Sequence, residues 1–209
     1  IDDIKREFPI FDDKIQNNDL VYLDSANSSQ KPRVVVDRIY DFYTKEFSNV
    51  GRSVHYLAVA ATNLYEQTRV SVQKYINAKD KDEIVFTKGA TEAINLVANT
   101  FGQKYLSEGD EVLLTELEHH SNYVPWHFLR KAKNIKIEFA EINDDGEVTL
   151  EAIEKKITNK TKIISVSHLS NVTGAILPIK EIVQLAHSKN IPVLIDGCQG
   201  APHLSLIHI

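Results

Sequence analysis

The chain has 209 residues, of which 43% are hydrophobic and 25% are charged, and its formal net charge is −5 at pH 7. This composition is typical of a globular protein, and the acidic balance excludes a general attraction to nucleic acid or to an anionic membrane surface. No apolar run is long enough to span a bilayer, and the charged first residues are unlike a secretory signal. A single cysteine excludes an intramolecular disulfide framework and fits a reducing compartment, so we expect a cytoplasmic location.

Helical and strand patterns alternate along the chain. Apolar spacing predicts helices over 34–47 and 57–76, a strand over 83–87, and then a helix whose apolar face runs from Ile94 to Tyr105. The later elements are a strand over 111–115, a helix to about Lys133, a strand over 135–139, a turn at 144–146, a helix over 150–157, a strand over 162–167, a helix over 178–186 and a strand over 193–195. This alternation indicates an α/β fold with a mainly parallel sheet and helices on both of its faces.

Polar side chains follow several of these strands. They form four clusters, at 89–91, 119–122, 171 and 196–199. The carboxyl ends of parallel strands meet at one edge of a sheet, and ligands bind beyond that edge. We therefore expect the clusters to converge on one site, although they are far apart in sequence.

Asp196 follows an apolar run over 191–195 and precedes Gly197 and Gln199. An acid in this position suits pyridoxal 5′-phosphate (PLP), because a carboxylate beside the pyridine nitrogen keeps the ring protonated and able to accept electrons. Asn171 and Gln199 can donate hydrogen bonds to the phenolic oxygen of such a cofactor, or can satisfy loop carbonyls instead. The alternative for Asp196 is a strand end that only caps the next turn.

The Gly-Ala-Thr segment at 89–91 links the strand predicted over 83–87 to a helix. Free backbone N–H groups and the helix dipole attract an anion there, Ala90 leaves room for a phosphate, and Thr91 can add a hydroxyl hydrogen bond. Alternatively, Thr91 caps the helix. Neither a Walker A motif nor G-x-G-x-x-G occurs, which disfavours a Rossmann-type nucleotide binder.

His119 and His120 have three interpretations. Either imidazole can stack on a planar ring, the two can form a structural pair, or with Glu118 they can begin a zinc site, which would need further ligands at suitable spacing. Cys198, the sole cysteine, stands two residues after Asp196. A lone cysteine in such a turn is expected to be a small buried residue rather than a nucleophile.

Several segments resemble the SufS/CsdA-type (group II) cysteine desulfurases, also called selenocysteine lyases, which are class V aminotransferase-type PLP enzymes. The matching segments are 22–32, 88–98, 118–126, 167–174 and 196–200. The sequence EHHSNYVPW at 118–126 is a specific signature of this subgroup, and the likeness runs from about Phe8 to His203. The resemblance implies the large domain of PLP-dependent transferase fold type I, in an incomplete form.

The resemblance also implies roles for individual side chains. His119 would stack on the pyridine ring and assist proton transfer. The other implied roles are contacts with the cofactor phosphate for Ala90 and Thr91, pairing with the ring nitrogen for Asp196, a hydrogen bond to the phenolic oxygen for Gln199, a position beside the ring and near the substrate for Asn171, and a position at the substrate entrance for His55.

The implied reaction converts L-cysteine, or L-selenocysteine, to L-alanine and leaves the sulfur as a persulfide on an enzyme cysteine. The sulfur then passes to an acceptor protein of iron–sulfur cluster assembly, and the resemblance implies a homodimer. Two alternatives stay open. One is another class V PLP enzyme, such as an epimerase or an aminotransferase, and the other is a catalytically inactive remnant of the PLP fold.

The chain departs from the family pattern in ways that bear on activity. It lacks the Ser/Thr-x-His-Lys motif whose lysine holds PLP covalently, and the sequence after His203 does not follow the family. Family members are roughly twice as long, a size expected to form two domains. We therefore expect an N-terminal segment over 1–30 and a partial PLP-binding large domain over 31–209, without the C-terminal small domain. Such a fragment is expected to be inactive by itself.

Overall fold

A computed structural model describes residues 2–206 of the chain. Its backbone contacts divide the chain into two compact units, Ile1–Ile84 and Val85–Ile209. The sequence predicts a different boundary, between an N-terminal segment over 1–30 and a large domain over 31–209. That boundary stays a prediction. The departure from the family after His203 lies in part outside the described residues, at 207–209.

The first unit contains two long helices in its described part. They are α2 (Arg33–Asp41), which continues as a π-helical turn over Phe42–Glu46, and α3 (Tyr56–Tyr75), and both confirm predicted helices. The shorter elements are a helix α1 and two 3-10 turns, at Asp2–Lys5, Pro9–Phe11 and Lys81–Glu83.

The strand predicted over 83–87 is wrong. Its first residue belongs to the 3-10 turn, which a reciprocal capping arrangement closes. The Asp80 side chain accepts a hydrogen bond from the backbone N–H of Asp82 at 2.9 Å, and Glu83 Oε2 accepts in turn from Asp80 N–H at 3.4 Å. Val85 is 68% exposed, and the described residues supply no strand that pairs with this segment. An apolar, β-branched pattern shows a tendency to form a strand, but a strand also needs a hydrogen-bonded neighbour.

The second unit contains a four-stranded sheet in which every pair of neighbours is parallel. The strands are β1 (Glu111–Thr115), β2 (Lys136–Ala140), β3 (Thr161–Ser167) and β4 (Val193–Asp196), in the spatial order β2-β1-β3-β4. The helices are α4 (Ala90–Val97), α5 (Gln103–Tyr105), α6 (His120–Lys133), α7 (Leu150–Lys156), α8 (Ile179–Ser188) and α9 (Gly200–His203), with a π-helical segment over Ala98–Gly102. No helix in the described part of the chain is long and apolar enough to cross a membrane.

Helices cover both faces of the sheet, as the sequence predicts. On one face Leu113 of β1 packs in a cluster with Ile153 of α7 and Ile182 of α8. On the other face Leu114 packs with Trp126 of α6. Successive residues of a strand point to opposite faces, so consecutive apolar residues, such as those at 112–114 of β1, must be covered on both sides. β1 is accordingly buried along its whole length.

The α7–α8 face gives a test of the packing. Ile182 is fully buried, so Ile182→Ala is expected to lower the free energy of unfolding by about 2–5 kcal/mol through lost burial and a residual cavity. Lys180→Ala, on the exposed side of the same helix, is expected to change it by less than about 0.5 kcal/mol. Urea unfolding followed by the fluorescence of Trp126, the sole tryptophan, measures both. Equal effects of the two substitutions would contradict the packing.

Candidate functional site

The site is built where the chain leaves two neighbouring strands in opposite directions. β1 and β3 are adjacent, but β1 is followed by β2 on one side and β3 by β4 on the other. The loops that leave such strands diverge and open a crevice beyond the carboxyl edge, where ligands of α/β sheets bind. The segment after β1 carries Glu118 and His119, and the segment after β3 carries His168 and Asn171.

The Glu118 carboxylate joins the two sides of this crevice. One oxygen, Oε1, accepts from Thr115 Oγ1 at 2.6 Å and from Ser167 N–H at 3.1 Å. The other, Oε2, accepts from Ser167 Oγ at 2.7 Å and from Asn122 Nδ2 at 2.6 Å. Thr115 ends β1, Ser167 ends β3 and Asn122 lies in the first turn of α6. One side chain therefore fixes three elements relative to one another.

Asn122 lies in the interior, although the sequence places it in a polar cluster at the strand ends. It is fully buried, and its Oδ1 accepts from Ser165 Oγ at 2.5 Å and from Trp126 Nε1 at 3.5 Å. Ser165 and Ser167 alternate with the apolar residues of β3, so both hydroxyls face α6. Asn122 extends the Glu118 network into the core and is a structural residue.

Burial raises the pKa of Glu118 above its ordinary value, and the hydrogen bonds from Thr115, Asn122 and Ser167 oppose that rise in part. The sequence suggested Glu118 only as a possible zinc ligand and did not predict this network. The available signals were its place in the 118–126 signature and the hydroxyl residues that end two strands. The described residues contain no group of three His, Cys, Asp or Glu side chains placed to hold a metal ion.

His119 is the N-cap of α6. Its Nδ1 accepts from the backbone N–H of Ser121 at 3.2 Å and lies 2.8 Å from Ser121 Oγ. Because Nδ1 accepts a backbone hydrogen bond, a neutral ring carries its proton on Nε2. The side chain is exposed, and its ring is perpendicular to that of His120 at a centroid distance of 6.0 Å. The ring thus has a fixed attachment and an accessible face, and stacking on a cofactor stays a prediction.

Asp196 ends β4 and is only 7% exposed. Its Oδ1 accepts from the backbone N–H of Cys198 at 3.0 Å, which confirms that it caps the next turn. Its backbone carbonyl accepts from His168 N–H at 2.9 Å and so ties β4 to the end of β3. This turn places Gln199 directly before α9. Asp196 is therefore held through its side chain and through its backbone carbonyl. Its pairing with a pyridine nitrogen stays a prediction.

Three of the four predicted clusters follow β1, β3 and β4, whose carboxyl ends share one edge of the sheet. They contain His119, Asn171 and the pair Asp196 and Gln199. Asn171 is exposed in a turn in which Ser170 Oγ accepts from Val172 N–H at 3.3 Å. The parallel topology brings these clusters to the same edge, as predicted.

The fourth cluster begins α4. Gly89 is the N-cap, so the alternative in which Thr91 caps this helix is wrong. The Lys88 N–H donates to the Glu92 carboxylate at 2.6 Å, and a Cβ built on Gly89 would meet no atom within 4 Å. Thr91 is exposed and its carbonyl accepts from Asn95 Nδ2 at 2.8 Å. The open start of α4 fits an anion, and phosphate contacts by Ala90 and Thr91 stay predictions.

Cys198 is exposed, so the expectation of a buried cysteine is wrong. Partial desolvation raises the pKa of its thiol, and the neighbouring Asp196 carboxylate raises it further. A protonated thiol is a poor nucleophile, which argues against a catalytic role. His55 lies in the first unit, where it is the N-cap of α3 and its Nδ1 accepts from Ala58 N–H at 3.3 Å. Its position at a substrate entrance stays a prediction.

Comparisons with known proteins give the family. The family model for class-V aminotransferases matches residues 21–206, and the chain belongs to this family of PLP-dependent enzymes. A protein from Halalkalibacterium halodurans named probable cysteine desulfurase is 44% identical over 204 residues, which are 98% of this chain and 50% of that protein.

Solved structures share the fold. The cysteine desulfurase CsdA from Escherichia coli has a TM-score of 0.85 at 33% identity, over 99% of this chain and 50% of that one. The apo cysteine desulfurase from Thermococcus onnurineus NA1 has a TM-score of 0.89 at 35% identity, over 98% of this chain and 49% of that one. These matches confirm the PLP-dependent transferase fold of the large domain. The chain spans about half the length of these three relatives.

The Glu118 network predicts a particular pH dependence. Because its pKa is raised above 4.5 in the folded state, Glu118 keeps its proton there at pH values at which the unfolded chain has lost it. Its contribution to stability is therefore present at low pH and is lost as the pH rises from about 4.5 through the folded pKa. Glu118→Gln does not titrate, so the free energy of unfolding of the wild type minus that of this variant is expected to fall over that window.

Urea unfolding at a series of pH values from about 4.5 to 8 measures this difference. Glu181→Gln, an exposed acid on α8, is the matched control and is expected to follow the wild type at each pH. A difference between wild type and Glu118→Gln that grows with pH would show that the Glu118 pKa is lowered.

Proposed function

We propose that the protein to which this chain belongs is a PLP-dependent cysteine desulfurase of the SufS/CsdA type, which releases L-alanine from L-cysteine or L-selenocysteine. The observation that carries the proposal is the placement of Asp196 and His119. Asp196 is buried at the end of β4, and His119 begins the helix after β1 on the other side of the crevice. The names of the relatives, which are cysteine desulfurases, support the same activity.

The residues at the crevice fit PLP. When bound, PLP supplies a protonated pyridine ring that accepts electrons from the substrate. A carboxylate that is only 7% exposed, such as that of Asp196, suits a pyridinium nitrogen, because a buried negative charge needs a positive partner. His119 supplies a flat ring whose position is fixed through Nδ1, which leaves Nε2 as the atom that holds or moves a proton.

The polar groups around these two residues suit the rest of the cofactor. The Gln199 amide, in the turn that Asp196 caps, would donate to the phenolic oxygen, and Asn171 would lie beside the ring near the substrate. Ala90 and Thr91, at the open start of α4, would hold the phosphate through backbone N–H groups and the Thr91 hydroxyl. His55 would line the substrate entrance.

The finer features of the proposal come from the resemblance to SufS/CsdA-type enzymes. They are a homodimer, a cytoplasmic location, and delivery of the sulfur to an acceptor protein of iron–sulfur cluster assembly. The raised pKa of the Cys198 thiol disfavours this residue as the sulfur carrier. A desulfurase of this type therefore uses another cysteine as the sulfur carrier, and the resemblance also implies a lysine that holds PLP. Because the chain spans about half the length of its relatives, the activity is tested on the full-length product of the gene that encodes this chain.

Asp196→Asn tests the proposed role of the acid. A hydrogen bond to a charged group contributes about 1.5–3 kcal/mol, so the full-length variant is expected to form alanine from L-cysteine about 10- to 100-fold more slowly. Asp144→Asn, an exposed acid in the turn before α7, is the matched control and is expected to keep wild-type activity. Alanine is quantified by chromatography under reducing conditions.

Two outcomes would contradict the proposal in different ways. An Asp196→Asn enzyme with wild-type activity would remove Asp196 from the site while leaving the desulfurase activity in place. A wild-type enzyme that racemises or transaminates amino acids and releases no alanine from cysteine would contradict the desulfurase activity and would indicate another class V PLP enzyme.

A further inference from the structure

His168 stands directly after β3 and has no role in the proposed chemistry. It is only 7% exposed, and its Nδ1 is a buried polar atom without a hydrogen-bond partner among the described residues. Its backbone is fully used, because its N–H donates to the Asp196 carbonyl at 2.9 Å and its carbonyl accepts from Leu177 N–H at 3.0 Å. A buried polar atom without a partner is uncommon and calls for a physical reason.

The His168 ring lies against the backbone of Gly200. A Cβ built on Gly200 would come within 2.7 Å of Nδ1, 2.9 Å of Cγ and 3.0 Å of Cβ of His168. Distances below 3.0 Å are not found for real Cβ atoms, so only glycine fits while the ring keeps its place. Gly200 is itself buried and follows Gln199 directly. The ring and the glycine thus form a close contact between the end of β3 and the start of α9.

His168 contacts the turn from Asp196 to Gly200 at both of its ends. At its first residue the Asp196 carbonyl accepts from His168 N–H, and at its last residue Gly200 packs on the His168 ring. Within the turn, Asp196 Oδ1 accepts from Cys198 N–H at 3.0 Å, and Gly197 carbonyl accepts from Ala201 N–H at 2.7 Å. A shift of the ring would therefore move the backbone that carries Asp196 and Gln199.

We propose that His168 is a positioning residue for the cofactor site: its buried imidazole, packed on Gly200, sets the position of the turn that carries Asp196 and Gln199. The inference rests on the proposed function, because those two side chains are its proposed contacts with PLP. His168 acts through the volume of its ring and its backbone hydrogen bond. Burial lowers the pKa of the imidazole below its ordinary value, which favours the neutral ring at pH 7.

A double-mutant cycle on the full-length protein tests this role. The variants are Gly200→Ala, His168→Ala and the pair together, and the probe is pyridoxamine 5′-phosphate, which has no aldehyde to react with surface lysines. Gly200→Ala is expected to weaken binding of the probe about tenfold, because the added methyl pushes the turn away from the ring. His168→Ala is expected to weaken it to a similar extent, because the turn loses its support.

The decisive result is the double variant. Once the ring is gone, the Gly200→Ala methyl has room, so the double variant is expected to bind no more weakly than His168→Ala alone. Losses that multiply to about a hundredfold would show that the two residues act independently, and would overturn the proposal. Should His168→Ala fail to fold, Gly200→Ala decides alone, since it keeps every native side chain, and an unchanged affinity would overturn the proposal.

Two controls separate the possible failures. Ile182 is buried on α8 and outside the turn, so Ile182→Ala is expected to lower the free energy of unfolding and to leave the affinity for the probe unchanged. If His168 had only a structural role, His168→Ala would give the same result as Ile182→Ala. A wild-type protein that does not bind pyridoxamine 5′-phosphate would overturn the proposed function and the positioning role together. Wild-type binding with independent effects of the two substitutions would overturn the positioning role alone.

Discussion

The placement of the candidate site depends on one partly buried carboxylate. Glu118 accepts four hydrogen bonds from three elements, the ends of β1 and β3 and the first turn of α6. A desolvated carboxylate is tolerated only when its oxygens are hydrogen-bonded, so the positions of all its donors depend on one another. His119 is the next residue in the chain. Its location at the crevice follows from the way Glu118 fixes the segment between β1 and α6.

The Glu118 network lowers the stability of the fold near neutral pH but fixes the position of the loop after β1. A carboxyl group whose pKa is raised by burial lowers the free energy of unfolding near neutral pH relative to an apolar core. In return, the loop after β1 is tied to β3 by side-chain hydrogen bonds, in addition to the backbone ladder. A functional group is held to the accuracy that chemistry needs only when the residues around it are themselves fixed. The Glu118 network supplies that support for His119, and the His168–Gly200 contact does so for the turn after β4.

The sequence was sufficient to predict the parallel sheet, and it failed where a feature depends on residues far apart in the chain. The strands at 111–115, 162–167 and 193–195 are apolar runs bounded by polar turns, and the structure reproduces each within one residue at either end. The segment at 83–87 has the same pattern but no neighbouring strand in the described part of the chain. Periodicity records the tendency of a segment and carries no information about its partner.

The same limit applies to the site. Three polar clusters could be placed at one edge from the order of strands and helices alone, because parallel topology aligns the carboxyl ends. The Glu118 network could not be predicted, since Ser167 is 49 residues away from Glu118 in sequence. Nor could the need for glycine at position 200, which arises from the ring of His168. Both features join segments that are far apart in the sequence, and no local pattern encodes them.

The structure also changes how the alternatives for Asp196 and His119 relate to each other. For Asp196 the sequence allows a turn cap or a cofactor contact, and for His119 it allows ring stacking, a structural His pair or a zinc site. In the structure both side chains are caps: Asp196 Oδ1 accepts from Cys198 N–H, and His119 Nδ1 accepts from Ser121 N–H. Capping engages one polar atom of the side chain and fixes its direction. The remaining atoms, Nε2 of the imidazole and the second oxygen of the carboxylate, then point in directions that the backbone sets. A capping role is therefore the means by which a side chain at a strand end is oriented for chemistry, and it does not argue against that chemistry.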